Sequence, residues 1–221
     1  LRSWNDDIQG EELVTENASW AGGKLIHSKV ADRVNSKIEK GALTTVNALV
    51  IHQTGANSAE SSLSSYEGGS SGAHFLIGKD GVIYQTARID QKCWHVGKTR
   101  VKCLEMKICT EDELKAVNAL LFKKGESYTV RVKNAHDREA TKPYPDRYPN
   151  NDDSIGIEIV GAFDSKAGTY DTVNREQNAS LVWLVAALTA KLAITSSEVY
   201  RHGAISYKQP TEASTAQWKV P

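Results

Sequence analysis

Three side chains capable of chemistry stand in or at the end of short apolar runs. His52 closes "VNALVIH", His202 follows "SEVYR", and Glu158 lies inside "SIGIEIVG". A side chain at the end of a buried strand is held on rigid backbone and points into whatever cleft borders that end. A histidine in such a place serves equally as a buried structural residue with one hydrogen bond. Glu158 is harder to dismiss. Burying an unpaired carboxylate costs several kcal/mol, roughly, unless it is neutral, paired or near a cation. Two neutral imidazoles plus one further ligand, with an open fourth position, form the layout of a catalytic zinc centre. A neighbouring carboxylate that is not a ligand is then its general base.

The elements that must position these groups follow from pattern. Val46–Ile51 and Ser154–Phe163 are short, β-branched and apolar, and read as strands buried on both faces. The segments His74–Ile77 and Val82–Gln85 flank Lys79-Asp80-Gly81 and predict a hairpin, the Asp-Gly pair supplying the positive φ that a tight turn needs. "VNREQNASLVWLVAALTAKL" is apolar over more than half its circumference and predicts a helix buried between layers. Further helices are predicted from Ser58, from Thr110 through about Leu120, and over "KVADRVNSKIEKG", where Val30, Val34 and Ile38 are helically spaced. "SYTVRVK" reads as a strand. The Pro/Tyr/Asp/Asn-rich "TKPYPDRYPNNDD" reads as a lid or surface excursion. Trp4 and Trp20 are expected to anchor a helical extension over residues 1–43, packed on a domain over 44–221 with an insertion at about 98–153. The whole predicts an α/β fold: a mixed central β-sheet flanked by helices.

Composition narrows the classes. The 221 residues carry 27 Lys+Arg against 27 Asp+Glu, so no net charge argues for nucleic acid or an anionic membrane surface. No apolar run reaches the ~18 residues of a membrane span. The N-terminus shows no signal-like region, and localisation is not written there. Cys93, Cys103 and Cys109 lack paired C-x-x-C spacing and are not read as metal ligands; one disulfide and one free thiol are permitted, in any of three pairings.

Taken in order, "LVIHQT", "AHFLIGKDGVIYQ", "CWHVG", "SIGIEIVG" and "YRHGAIS" followed by a Thr-acid pair resemble the zinc-dependent N-acetylmuramoyl-L-alanine amidases. That family spans phage endolysins, amidases that recycle muropeptides, and animal peptidoglycan recognition proteins. The resemblance runs from Val46 to Trp218, interrupted by the insertion. It implies Zn2+ held by His52, His202 and Glu212, the last where the family has Asp or Cys. It implies Glu158 as catalytic carboxylate, the tyrosine of members lacking this Glu being replaced by Ala73. It places His95, with Thr54, along the substrate groove. A lysine normally two positions before the third ligand is Pro210 here, which leaves Lys208 as the candidate for its catalytic role. His74 is expected to be structural, and His27 and His136 are assigned nothing. The implied substrate is peptidoglycan or muropeptides, the implied site of action the periplasm or cell wall, reached by export or delivery. An antibacterial effector of this kind would be paired with an immunity or inhibitor protein. Two other functions fit the departures from the motif: a weakened peptidoglycan-binding module, and a hydrolase cutting within the stem peptide.

Overall fold

The computed structural model describes residues 18–219. Its centre is a seven-stranded mixed sheet. The strands are β3 (Val30–Asp32), β4 (Ala48–Gly55), β5 (Phe75–Ile77), β6 (Ile83–Gln85), β7 (Ser154–Asp164), β8 (Thr169–Tyr170) and β9 (Val199–Arg201). The order is β3-β6-β5-β7-β4-β9, with β8 pairing β7 antiparallel. Strands β5, β7, β4 and β9 run parallel, while β6 turns back antiparallel on β5. A separate hairpin, β1 (Ser19–Ala21) with β2 (Lys24–Ile26), precedes them.

Period-two alternation sorts the two faces of this sheet. Leu49 and Ile51 of β4, Phe75 and Ile77 of β5, and Ile155, Ile157 and Ile159 of β7 share one core cluster with Leu181, Leu184 and Leu188. Those leucines belong to the long helix α5 (Arg175–Leu192), opened by a capping box between Asn174 and Gln177. The intervening residues face the other way. Val50 packs there with Val96, Tyr148 and Ile205, and Leu76 with Val160 and with Ala59 of helix α1 (Ala59–Tyr66). His52 and Glu158 are register partners across β4 and β7, so both project from this second face, away from α5.

The insertion meets that face through Tyr148. It holds helices α2 (Lys102–Glu105), α3 (Glu111–Leu121) and α4 (Tyr128–Ala140) over a small core of Val101, Cys103, Val117 and Ala135. The predicted strand "SYTVRVK" is therefore corrected to the start of α4. Ser127 caps it by accepting from the Val130 amide, and the buried positions Val132, Ala135 and Glu139 have helical spacing. Val130, which an alternating strand would bury beside Val132, stays exposed. The helix predicted over Val30–Ile38 is likewise corrected: Val30–Asp32 pairs in parallel with β6, and of Val30, Val34 and Ile38 only Ile38 is buried. Among the described residues the segment 18–43 is strand and turn, not helix; Trp4 lies outside them, and Trp20 packs against the main core. The loop 141–153 is no detached lid, because Tyr148 is buried against Val50 and the Asn151 carboxamide accepts from the His95 and Val96 amides. Cys103 and Cys109 form the disulfide and Cys93 is the buried free thiol, its pKa pushed up to about 12 by burial.

Candidate active site

Each functional side chain is delivered by a different element. His52 comes from the body of β4 and Glu158 from its register partner in β7. His202 follows the last residue of β9 and opens the short helix α6 (His202–Ile205). Glu212 comes from the turn after it, and that turn can come close only because residue 203 is glycine. A Cβ on Gly203 would stand 2.5 Å from the Gln209 carbonyl oxygen, 3.0 Å from that of Pro210 and 3.1 Å from that of Glu212. The far side of the turn is tied down as well. The Ala213 amide donates to Gln53 Oε1, and the Arg201 guanidinium donates to the carbonyls of Ala213 and Ala216 while stacking on Trp218.

His52, His202 and Glu212 are all buried, and their ligand atoms lie within 4.8 Å of one another. Glu212 Oε1 is 2.8 Å from His202 Nδ1 and 3.3 Å from His52 Nδ1. The outer edges of both rings are already committed. His202 Nε2 donates to the Val96 carbonyl at 2.6 Å. His52 Nε2 lies 3.0 Å from His95 Nδ1, and His95 Nε2 lies 3.4 Å from the Ser154 carbonyl. A carbonyl only accepts, so the proton of a neutral His95 sits on Nε2, its Nδ1 accepts, and His52 Nε2 donates. Both inner Nδ1 atoms then carry lone pairs aimed at a carboxylate oxygen. Three electron-rich atoms at such separations require a positive charge among them, either an added proton or a metal ion. Ligands ~2.0–2.2 Å from a tetrahedral zinc stand ~3.3–3.6 Å apart; the two Glu212 contacts, at 3.3 and 2.8 Å, lie at the lower edge of that range and below it. The donor set therefore fits a divalent cation, and hydrogen bonds on the outer nitrogens are the usual way such ligands are oriented.

The electrostatics agree. Burial and the neighbouring His202 hold His52 down at about 4, so it is neutral at physiological pH. Burial opposes ionisation of Glu212, but hydrogen bonding to His202 and His52 overrides it and brings the carboxyl to about 2. Glu158 behaves oppositely. Burial, and then the charge of Glu212, push it up to about 8, and its Oε2 finds no hydrogen-bond partner among the described residues. The two carboxyls are thus pushed apart, Glu212 held as the anion and Glu158 keeping its proton to much higher pH.

Glu158 borders a cavity of about 430 Å³, whose wall also includes Thr54, His95 and Lys208. Thr54 is occupied with backbone, accepting from the Ala56 and Gly161 amides. Lys208 is exposed at the mouth, and Pro210 is exposed further along the turn. His95 is both cavity wall and hydrogen-bond partner of His52; it crosses β7 at Gly156, where a Cβ would meet its Nδ1 at 2.7 Å. His74 is structural, Nδ1 accepting from the Gly156 amide and Nε2 donating to the Gln91 carbonyl. Sequence reasoning missed Trp94, Tyr66 and Asn151, which line the same cavity. The aromatic-His pair in "CWHVG" was the available signal for Trp94. Tyr66 carried none, since it lies on α1, outside every motif.

The fold has a counterpart among known proteins. Among solved structures, the crystal structure of a Se-Met AmpD derivative superposes with a TM-score of 0.56 at 18% identity, covering 90% of this chain and 95% of that one. The endolysin N-acetylmuramoyl-L-alanine amidase LysCS from Clostridium intestinale URNW gives 0.47 at 16% identity, over 83% and 86%. No curated protein sequence matches. The family model for N-acetylmuramoyl-L-alanine amidase matches residues 42–215, most of the chain and every candidate site residue, and the chain belongs to that family of peptidoglycan amidases.

Proposed function

We propose that this chain is a zinc-dependent hydrolase that cuts the amide between the lactyl group of N-acetylmuramic acid and L-alanine of the stem peptide. The observation that carries the reading is the convergence of His52, His202 and Glu212 on the sheet face from which Glu158 also projects. A zinc ion held by that trio supplies Lewis-acid polarisation and a lowered water pKa. Glu158 accepts the proton of the attacking water as the C–O bond forms at the lactyl carbonyl. It then returns that proton to the alanine nitrogen as the C–N bond breaks, leaving a muramic acid carboxyl and a free amine. Burial keeps Glu158 basic enough for the first transfer, while a cation at the trio works against the upward shift seen without one. Lys208, at the cavity mouth, contributes positive charge toward the substrate carbonyl in place of the lysine absent at Pro210. Thr54 holds the turn after β4, and His95 orients His52 while forming the cavity wall.

The disulfide within the insertion supports action in an oxidising compartment, as expected of a cell-wall enzyme that is exported or delivered. Among the described residues no helix is long and apolar enough to cross a membrane. Mass spectrometry of digests of purified sacculi, with and without chelator, tests the proposal. Free L-alanine N-termini on uncut glycan, lost with chelator, are expected. New reducing ends, or N-termini only at D-amino acids or diaminopimelate, refute it.

A further inference from the structure

A second cavity of about 360 Å³ adjoins the first, sharing Gly97 and Lys208 with it. Its remaining wall comes from the insertion and its neighbours: Lys98, the exposed Tyr128 at the start of α4, and Tyr207, whose ring lies under the Arg100 guanidinium at 5.4 Å. Two lysines line it and, among the described residues, no carboxylate does. A polymer leaving the first cavity over Lys208 enters a cationic, aromatic-walled space. Two extended residues span roughly 7 Å, enough to carry a chain from one compartment toward the next.

The glycan of peptidoglycan is uncharged once its lactyl carboxyl is in amide linkage, so cationic walls have nothing to pair with along it. The stem peptide differs. Its second residue is a D-glutamate joined through the γ-carboxyl, which leaves an α-carboxyl as either the free acid or the amide. We propose that the Lys98/Lys208 cavity is a stem-peptide subsite that distinguishes the free α-carboxylate from the carboxamide. This rests on the muramoyl-amidase reading, because it takes the scissile bond to lie in the first cavity. Lys208 places positive charge at the boundary and Lys98 adds a second in the wall beyond it, while Tyr128 and Tyr207 supply flat surfaces for the peptide backbone and methyl groups.

The test uses two N-acetylmuramoyl-L-alanyl-γ-D-glutamyl peptides, identical except for acid or carboxamide at that position. The wild-type enzyme is expected to favour the acid by roughly three- to tenfold, the effect lying in KM. Lys98→Gln should cut that preference by about two- to fivefold, the scale of a partly exposed ion pair, without changing kcat or the KM of the carboxamide. Lys98 meets Tyr207 through its backbone carbonyl, which this substitution leaves in place. Tyr128→Ala should raise KM for both substrates. An unchanged acid-to-amide ratio in Lys98→Gln, or no preference in the wild type, overturns the subsite. Titration of the two free stem peptides, which hold no muramoyl bond, separates this from the bond assignment. Tighter binding of the acid form, weakened by Lys98→Gln, sustains the subsite even where muramoyl cleavage fails. Equal binding of the two overturns it whatever bond is cut.

Discussion

Gly203→Ala tests how Glu212, the proposed third ligand, is brought to His52 and His202. The added methyl would lie 2.5 Å from the Gln209 carbonyl oxygen, with the carbonyls of Pro210 and Glu212 at 3.0 and 3.1 Å. All three are backbone atoms, so no side chain can swing away. Restoring an ordinary contact of about 3.4 Å to Gln209 requires the turn to retreat by about 0.9 Å. Glu212 Oε1 stands only 2.8 and 3.3 Å from its two imidazole partners, so a retreat of that size takes it out of ligand range of a shared ion. Misplacing a group that orients a metal ligand typically costs 10–100-fold in affinity, and a comparable loss is expected here. Competition against a chromogenic chelator reads the affinity, and thermal unfolding of the metal-free protein reads the structural cost. Affinity falls while the metal-free protein loses only the about 1–3 kcal/mol of an overpacked site. A variant that binds zinc as the wild type does would refute the argument, because Glu212 would then be free of the turn or not a ligand at all.

Other outcomes follow from the same geometry. Glu158→Gln keeps the shape but accepts no proton, and turnover should fall ~10²–10⁴-fold with zinc content unchanged by metal analysis. Glu212→Ala should lose its metal on dialysis, and activity with it; an alanine variant still holding one tightly bound zinc per chain would transfer that ligand role elsewhere. Gly156→Ala, whose methyl would displace His95 from above β7, should weaken zinc binding as His95→Ala does, and a double variant should add little to either. His74 predicts acid sensitivity without metal. Burial holds it at about 4 against an ordinary 6.5, so the unfolded chain binds the extra proton first, and stability present above pH 6.5 is lost as pH falls toward 4. The gap between those two values corresponds to roughly 3 kcal/mol. Denaturant titrations between pH 7 and 4.5 should show that slope reduced in His74→Gln.

How much of this was legible in the sequence depended on where each residue's constraint originates. His52, Glu158 and His202 sit in runs whose apolar pattern is set locally by a sheet buried on both faces, and a polar group there is conspicuous. Glu212 offered no such signal. Its place beside the two histidines is made by contacts that join residues far apart: Gly203 against the turn, Gln53 on the Ala213 amide, and Arg201 on the tail carbonyls. Only the resemblance to a family pointed to it. The two secondary-structure errors share a cause. Thr-Val-Arg-Val-Lys alternates for five residues, yet only Val132 of its two valines is buried, because it shares the helical spacing of Ala135 and Glu139, and Ala135 joins the insertion's own small core. Val30, Val34 and Ile38 are spaced for a helix, but β6 offered a free edge with hydrogen bonds that Val30–Asp32 took instead. Short periodic runs are decided by what lies beside them. The same dependence explains His95. Its place in "CWHVG" speaks of a groove, while its hydrogen bond to His52 exists only because β7 carries glycine at position 156 beneath the ring. Close approach of backbone to side chain, at Gly156 and again at Gly203, is what converts scattered histidines and a surface-like glutamate into one site.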